Sequence, residues 1–471
     1  MTELTTIDGG TTRLDAELDA LAADLTGGLV RAGDPDYDTS RALWNAVTDR
    51  HPAAIVRCAT TEDVGRAVLL AAEHRLLVAV RAGGHNVAGT AGVDDGLVID
   101  LGQMRDVSVD PGTRLARVAG GARLGDLDAA TQEHALAAPA GVFSDTGIGG
   151  LGLTGGIGWL RRLLGLTCDN IVGATVVAAD GTVHEVDEEN DPELLWGLRG
   201  GGGNLGVVTE LVVRLHPVGP EVYAGFVLHR ADRALEVLHA YRDWSADLPD
   251  EVSSMAVLGA APEDEAVPAE LTGQPCVIVL ACVADPDHGE ELLAPIRDLP
   301  DPAADLSGPV PYVELQQLFD ADYPEGMRYY WRSVHLPELS EEALLRSVDQ
   351  MHRRPSALST IDLWHLGGAM SRVGAEDTAF GDRSAPYLVG IEANWTDPDD
   401  DEANMRWARG CAADLDELST GREYLNFPGF QEGGQETLRA AHGEANYARL
   451  RALKQRMDPQ NLFRLHQNIA P

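Results

Sequence analysis

Short apolar runs and helical patterns alternate along the first part of the chain. Residues 54–56, 76–80 and 97–99 are apolar runs of strand length, rich in branched side chains. A helical pattern opens at residues 60–63, where a threonine cap precedes acidic side chains suited to a first turn. The order of strand, helix and strand predicts a βαβ-like unit here.

Further elements follow before residue 215. Residues 116–118 and 207–209 read as strands, and residues 124–132 follow a helical pattern. Residues 172–186 predict a hairpin, because Asp180-Gly181 is a two-residue turn signal between apolar runs. These elements indicate one domain of α+β class.

The pattern changes after Pro217, where the glycine clusters stop. Loops containing Asp and Pro, at residues 261–269 and 397–402, separate apolar strands from helical stretches. A last helix over residues 444–457 ends at Asp458-Pro459. We expect a two-domain α+β protein, with residues 1–214 and 421–471 in one domain. Residues 215–420 form the other, with an antiparallel sheet and helices.

The charge balance is strongly acidic. The 471 residues include 36 Lys plus Arg and 75 Asp plus Glu, a formal net charge of −39, and Lys454 is the single lysine. Such a surface disfavours binding to nucleic acid. It suits concentrated salt, because the Debye length falls to about 3 Å at 1 M. A halophilic protein is therefore favoured over an acidic protein from a mesophile.

The cysteine spacing indicates a reducing compartment, and the hydropathy indicates no membrane-spanning segment. The five cysteines form no CxxC pair and are odd in number, which disfavours both a zinc site and a disulfide framework. No window of about 18 apolar residues lacks charges. Residues 1–10 have neither a basic start nor an apolar core. We expect a cytoplasmic protein that binds no metal.

Three glycine-dense segments stand out, at residues 81–86, 147–158 and 199–204. Glycine lets backbone N–H groups approach an anion closely, so three such loops in one domain predict a large phosphate-containing ligand. Gly150, Gly152 and Gly155 match G-x-G-x-x-G, but Pro139 precedes them and more glycines interrupt the helix that should follow. Residues 199–206 also lack the Gly-Lys-Ser/Thr ending of a P-loop.

Longer motifs resemble the berberine-bridge-enzyme-like FAD-linked oxidoreductases, which have the vanillyl-alcohol-oxidase flavoprotein fold with a PCMH-type FAD-binding domain. The motifs keep the family's order over nearly the whole chain. They are residues 81–89 (RAGGHNVAG), 146–158 (TGIGGLGLTGGIG), 196–206 (WGLRGGGGNLG), 424–427 (YLNF), 458–463 (DPQNLF) and 467–469 (QNI).

The resemblance implies that His85 is bonded to the 8α methyl group of FAD. Many members carry a second link through a cysteine at the position of Phe143, so a single link is expected here. Thr146 holds the family's oxygen-access position and leaves oxidase or dehydrogenase open. The other residues expected to contact FAD are Arg81, Gly83, Gly84, Asn86, Gly89, Gly147, Gly149, Gly150, Gly155, Gly156, Asn204, Gly206, Val207, Asn426 and Asn468.

The resemblance also suggests catalytic candidates. Tyr424 matches the family's Tyr-x-Asn element and either takes a proton from substrate or only orients it. Tyr330 and His365 are weaker candidates in the second domain, where strand alternation puts Tyr329 and Trp331 on one face. The expected reaction is hydride transfer from an alcohol, sugar hydroxyl or amine, with O2 or another acceptor.

Two alternatives remain open at this point. One is a reductase of the same fold that binds its flavin non-covalently and takes electrons from a nicotinamide. The other is a ligand-binding or structural protein that kept the fold and lost catalysis, because a fold does not by itself imply a function.

Overall fold

The structure is a computed structural model, and it describes residues 2–263, 266–299 and 302–471. Its strands are, in chain order, β1 (Glu3–Thr5), β2 (Thr11–Arg13), β3 (Gly28–Arg31), β4 (Ala54–Arg57), β5 (Val78–Arg81), β6 (Leu97–Asp100), β7 (Val107–Asp110), β8 (Leu115–Ala119), β9 (Leu136–Ala137), β10 (Ile171–Val177), β11 (Val183–Asp187), β12 (Val207–Arg214), β13 (His216–Pro217), β14 (Glu221–Arg230), β15 (Val252–Ala260), β16 (Pro275–Val283), β17 (Ala304–Asp305), β18 (Gly308–Pro311), β19 (Arg328–Leu336), β20 (Thr360–His365) and β21 (Tyr387–Trp395).

The helices connect these strands and close the chain. They are α1 (Asp15–Asp24), α2 (Tyr37–Arg41), α3 (Thr61–Glu73), α4 (Leu124–Gln132), α5 (Ile148–Leu153), α6 (Arg161–Leu164), α7 (Pro192–Leu198), α8 (Ala234–Ser245), α9 (Gly289–Arg297), α10 (Tyr312–Gln316), α11 (Glu341–Arg353), α12 (Ala369–Arg372), α13 (Asp401–Asp416), α14 (Gly434–His442) and α15 (Glu444–Met457). In the part of the chain that the structure describes, no helix is long and apolar enough to span a bilayer.

The first domain begins with a four-stranded sheet in the order β3-β4-β6-β5. β6 pairs in parallel with both β4 and β5, and β3 pairs antiparallel with β4. The side chain of Thr60 accepts a hydrogen bond from the Asp63 backbone N–H and caps α3, which lies between β4 and β5. The predicted βαβ-like unit is confirmed.

A second, antiparallel sheet in this domain has the order β11-β10-β12-β8-β7. β10 and β11 form the predicted hairpin, and Gly181 in its turn has a φ of +80°, which glycine adopts without strain. Apolar side chains of β8, β10 and β12 share one buried core with α4 and α15.

The C-terminal helices return to the first domain. Leu453 and Met457 of α15 are buried in the core of the five-stranded sheet. Lys454, also on α15, is fully buried and lies 2.7 Å from the Asp458 carboxylate. These contacts join the end of the chain to its first 214 residues.

The second domain is an eight-stranded antiparallel sheet in the order β17-β14-β16-β15-β20-β21-β19, with β18 also paired to β14. Helices α8, α11 and α13 pack on one face of this sheet. The other face packs on the first domain around Trp159 and Tyr424. A two-domain flavoprotein architecture of mixed helix and sheet, as the sequence predicts, is therefore confirmed. The boundaries at residues 214/215 and 420/421 stay predictions.

Candidate active site

A cleft opens between the glycine loops of the first domain and the inner face of the eight-stranded sheet. It contains about 1280 Å³ of empty space, counting its solvent-open mouth. Its lining includes Val80, His85, Asn86, Phe143, Thr146, Gly147, Gly150, Gly206, Val207, Trp331, Asn426, Phe427, Phe463 and His466.

Two of the glycine loops touch each other at the floor of this cleft. A Cβ atom on Gly83 would lie 2.3 Å from the Gly147 nitrogen, and one on Gly147 would lie 2.3 Å from the Gly83 nitrogen. Neither position has room for a side chain. Gly150 differs, because a Cβ there would meet no atom within 4 Å and would only narrow the cleft.

The first glycine loop presents unpaired donors to the cleft. Within the described residues, the backbone N–H groups of residues 83–86 donate to no protein acceptor, and all four residues line the cleft. Consecutive free N–H groups of this kind form a concave site for an anion. The donor set and the missing side chain at Gly150 therefore fit the pyrophosphate of a dinucleotide.

His85 is held rigidly at the same place. Its Nε2 atom lies 2.9 Å from Oδ1 of Asp145, and its ring stacks on Trp44 with centroids 3.9 Å apart. In the described part of the chain no group bonds to Nδ1 of His85. Because Asp145 accepts from Nε2, that nitrogen carries the hydrogen and Nδ1 keeps its lone pair.

The contact with His85 favours the ionised form of the Asp145 carboxyl group. Burial by itself would raise the pKa of the Asp145 carboxyl, but the hydrogen bond from His85 helps to outweigh it and the pKa is lowered. Asp145 is therefore an anion at neutral pH and can fix the tautomer of His85.

Tyr424 lies behind the cleft in a dense set of hydrogen bonds. Its hydroxyl oxygen accepts from the backbone N–H groups of Gly156 (3.0 Å) and Ile157 (3.2 Å) and from the side-chain amide of Asn426 (2.8 Å). Burial raises the pKa of Tyr424 to about 12, despite these donors. The phenol is therefore protonated at neutral pH, which favours orientation of substrate over proton abstraction.

None of the three catalytic candidates belongs to the lining of the cleft. Tyr330 points to the opposite face of the sheet, where its hydroxyl donates to Glu432 at 2.7 Å. His365 lies 3.2 Å from the Arg162 guanidinium, and burial together with nearby arginines lowers its pKa to about 2. The cleft-facing aromatic residue of this sheet is Trp331 instead, because neighbouring strand positions face opposite sides.

Comparison with known proteins places this geometry in a family. Residues 52–187 match the model of the FAD binding domain, and residues 423–470 match that described as berberine and berberine like. The FAD-linked oxidoreductase YgaK of Bacillus subtilis is 31% identical over 95% of this chain and 97% of its own. The chain belongs to the berberine-bridge-enzyme-like FAD-linked oxidoreductases.

Two further relatives indicate the breadth of this family. The crystal structure of 6-hydroxy-D-nicotine oxidase from Arthrobacter nicotinovorans has a TM-score of 0.84 and 29% identity, and covers 95% of this chain and 98% of that one. Xylooligosaccharide oxidase of Thermothelomyces thermophilus is 28% identical over 93% of this chain and 90% of its own. This FAD-linked oxidoreductase is thus an enzyme with a fold seen in oxidases.

Most of the predicted flavin contacts line the cleft of the oxidoreductase. Those that do are His85, Gly83, Gly84, Asn86, Thr146, Gly147, Gly149, Gly150, Gly206, Val207 and Asn426. Those that do not are Arg81, Gly89, Gly155, Gly156, Asn204 and Asn468. The contacts of all these residues with FAD remain predictions.

Two of the residues outside the lining have clear structural contacts. Arg81 donates to the Asp100 carboxylate at 2.7 Å and so fixes β5 directly before the first glycine loop. Asn204 donates to the backbone carbonyl of Gln467 and accepts from the Ile469 N–H, which ties the C-terminal segment to the third glycine loop. The side-chain oxygen of Asn468 is buried and has no hydrogen-bond partner in the described residues, so a donor group of a ligand could bond to it.

Sequence reasoning missed Trp44 and Asp145, which hold the two sides of His85. Asp145 directly precedes Thr146, so its proximity to a glycine motif was the available signal. No feature of the sequence pointed to Trp44, because it meets His85 only in the folded chain.

Phe143 stands where many family members carry the cysteine of a second link to FAD, and this position is also at the cleft. Phe143 lines it, with its ring centroid 6.0 Å from that of His85, while all five cysteines are buried elsewhere as free thiols. Within the described ranges, no three or more His, Cys, Asp or Glu side chains lie close enough together to hold a metal ion.

Proposed function

We propose that this oxidoreductase carries FAD covalently on Nδ1 of His85 through a single link, and oxidises an alcohol, sugar hydroxyl or amine. Hydride passes from substrate carbon to flavin N5, and O2, giving H2O2, or another acceptor removes the electrons. The observation that carries the proposal is the geometry of His85, whose Nε2 atom is engaged by Asp145 at 2.9 Å while Nδ1 has no partner in the described residues.

Single attachment is supported by the side chain opposite His85. A thiol would be needed for a second link, and Phe143 occupies the expected position with an unreactive ring. The nearest part of the lining is aromatic and contains no sulfur among the described residues. One carbon–nitrogen bond to His85 is therefore the whole attachment we expect.

Bound FAD supplies the two-electron acceptor that side chains lack. The chain itself orients the substrate and excludes water from the reacting carbon. Asn426 lines the cleft and bonds both to the Tyr424 hydroxyl and to Thr154, so this polar group is fixed before substrate enters. Trp331 and Phe427, with ring centroids 5.3 Å apart, provide the apolar wall.

Anaerobic mixing with oxidisable substrates tests this function. Primary alcohols, oligosaccharides and amines are added singly to the purified holoenzyme, and flavin absorbance is followed. We expect at least one class to bleach the flavin, and peroxide to form when air is readmitted if O2 is the acceptor. If no class bleaches a flavin that dithionite still reduces, the oxidase proposal fails.

We also propose that the protein works in a salt-rich, reducing cytoplasm. The net charge of −39 and five buried free thiols support this environment. Unfolding by heat at low salt and at molar salt tests it. A stability that rises with salt is expected, because salt screens the repulsion between carboxylates, and equal stability in both would refute it.

A further inference from the structure

Three side chains around the His85 ring are held by one segment of the second domain. His85 bonds to Asp145, stacks on Trp44 with ring centroids 3.9 Å apart, and lies beside Phe143 with ring centroids 6.0 Å apart. The segment consists of residues 317–327 and connects α10 to β19. It contacts Trp44 and Phe143 directly, and it reaches Asp145 through the residue that precedes it.

Asp320 of this segment binds the turn at residues 143–146, which carries Asp145. Its Oδ1 atom accepts from the Ser144 backbone N–H at 2.9 Å, and its Oδ2 atom accepts from the Ser144 hydroxyl. A carboxylate that accepts two hydrogen bonds from one residue fixes the orientation of that residue as well as its position. Because Ser144 directly precedes Asp145, Asp320 holds the backbone from which Asp145 reaches His85.

The first domain holds the same turn from its other side. The carbonyls of Ser144 and Thr146 accept from the backbone N–H groups of Gly125 (2.7 Å) and Leu124 (2.9 Å) at the start of α4. Among the described residues, the N–H and hydroxyl of Ser144 bond only to Asp320. Loss of Asp320 would therefore release one side of the turn while the other side stays fixed.

The same segment fixes Trp44, on which the His85 ring stacks. The Trp44 indole N–H donates to the Tyr323 carbonyl at 3.2 Å, and the Trp44 carbonyl accepts from the Gly326 N–H at 2.9 Å. The indole also stacks on Tyr329 of β19, with ring centroids 3.7 Å apart. The second domain thus holds Trp44 in place against His85.

Phe143 packs on two aromatic rings of the segment. Its ring centroid lies 4.8 Å from that of Tyr323 and 5.9 Å from that of Phe319, and both pairs are tilted, as contacting aromatic rings prefer. Phe319, Asp320 and Tyr323 therefore act on three different neighbours of the His85 ring.

The contact made by Asp320 differs from these ring contacts because it has a direction. Packed rings tolerate small shifts, whereas a hydrogen bond weakens steeply when its angle is lost. The bond of 2.9 Å between Asp145 and Nε2 of His85 depends on such an angle. It keeps its geometry only while the turn that carries Asp145 keeps its orientation.

We propose that Asp320 is a positioning residue for His85 and acts through Ser144 and Asp145. The domain whose sheet lines the cleft thereby sets the orientation and tautomer of a histidine in the other domain. The functional consequence rests on the proposed attachment of FAD to His85. Attachment should be slower when His85 is misplaced, because small displacements of a reacting group cost large factors in rate.

The hydrogen on Nε2 of His85 reports this positioning without any cofactor. Full-length protein is produced without flavin and with isotope-labelled histidine, and the Nε2–H resonance is identified by its absence in His85→Ala. An N–H that donates to a carboxylate resonates far downfield. We expect Asp320→Ala to move this resonance upfield and to speed its exchange with water about fivefold. Thermal unfolding verifies the fold, and a loss of global stability alone leaves the chemical shift of the folded state unchanged.

FAD is then added to the same proteins, and covalent attachment is followed as flavin that stays on the denatured chain. We expect Asp320→Ala to attach FAD about fivefold more slowly than the wild type. Asp320→Asn keeps the shape and one acceptor, and Ser144→Ala keeps the backbone N–H, so both should be intermediate. The double variant should be no slower than Asp320→Ala, because both changes remove the same hydrogen bond.

Asp322→Ala is the matched control. Asp322 is exposed and lies in the same segment, and its carboxylate has no hydrogen bond among the described residues. Its variant should keep both the resonance and the attachment rate of the wild type.

The outcomes separate this proposal from the proposed function. An unchanged resonance in Asp320→Ala and Asp320→Asn would refute the positioning role, and effects of Asp320→Ala and Ser144→Ala that add would refute its action through Ser144. A wild type that binds FAD without attaching it, but whose resonance still depends on Asp320, would refute attachment at His85 and support the positioning role.

Discussion

The two walls of the cleft use different chemistry. The wall from the first domain is mainly backbone, with glycine loops in mutual contact and four consecutive N–H groups free among the described residues. The wall from the eight-stranded sheet is made of side chains, with Trp331 in the lining and the buried Glu392 opposite it on the neighbouring strand. One wall suits a constant cofactor, and the other suits a variable substrate.

The difference explains how one fold can serve several substrates. Backbone donors keep their position whatever side chains surround them, so the cofactor wall depends on a few glycines and on His85. Side chains on the sheet can be exchanged without altering its ladder of hydrogen bonds. Relatives named for 6-hydroxynicotine and for xylooligosaccharide share the fold while differing in name for their substrates.

The largest effect should come from the support of the cofactor wall. Lys454 is fully buried and bonds to Asp458 and to the backbone carbonyls of Asn204 and Phe463. Lys454→Met would leave Asp458 as an unpaired buried charge and should lower the free energy of unfolding by about 3–5 kcal/mol. Chemical denaturation measures this.

Arg406→Met is the matched control, since Arg406 forms an exposed pair with Glu402 within one helix. Its loss should change the free energy of unfolding by less than about 1 kcal/mol. Similar values for the two variants would show that the buried lysine does not brace the cofactor wall.

A smaller effect is expected where the two walls meet, at Tyr424. Tyr424→Phe removes the hydroxyl that holds the cleft residue Asn426 at 2.8 Å, and the rate of flavin reduction should fall about 10–100-fold, equivalent to about 1.4–2.7 kcal/mol. Because the pKa of Tyr424 is raised to about 12, its ionisation should produce no step in this rate between pH 6 and 10. Stopped-flow absorbance gives both results.

Tyr330→Phe serves as the comparison, because Tyr330 lies on the far face of the sheet and should leave the reduction rate unchanged. An unchanged rate in Tyr424→Phe would exclude both roles considered for that residue. A pH step that disappears in Tyr424→Phe would restore its role as the base.

The smallest effect concerns the attachment step. Asp145→Ala removes the acceptor that keeps hydrogen on Nε2 of His85, so covalent incorporation of FAD should slow about tenfold, as expected from losing a charged hydrogen bond of about 1.5 kcal/mol. Asp145→Asn keeps an acceptor without charge and should be intermediate. Flavin fluorescence of denatured protein on gels, taken over time, measures the rate, and equal rates in all three proteins would remove Asp145 from this step.

The cofactor wall could be predicted from sequence because its parts are contiguous. Residues 81–89 and 146–158 contain both the glycines and His85, and Asp180-Gly181 identified its hairpin from a local turn signal. The strands of its sheets could be predicted from apolar runs, because the spacing of apolar residues is also a local feature of the sequence. Such features need no knowledge of the tertiary fold.

The substrate wall could not be predicted in the same way. The alternation of side chains along the strand correctly put Tyr329 and Trp331 on one face, but it does not say which face meets the cleft. Tyr330 is one position away on the same strand and therefore lies on the face that is turned away from the cleft. Asp362 and Glu392 are 30 positions apart and meet only because β20 and β21 are neighbours. Their burial is a property of the folded chain.

Acid precipitation of the purified holoenzyme tests the central claim most directly. Wild-type protein, His85→Ala and the exposed-histidine control His51→Ala are denatured, and pellets and supernatants are compared by absorbance and intact mass. We predict that one FAD stays with the wild-type and His51→Ala pellets and none with His85→Ala. Flavin released from the wild type into the supernatant would contradict attachment at His85 and favour the non-covalent reductase.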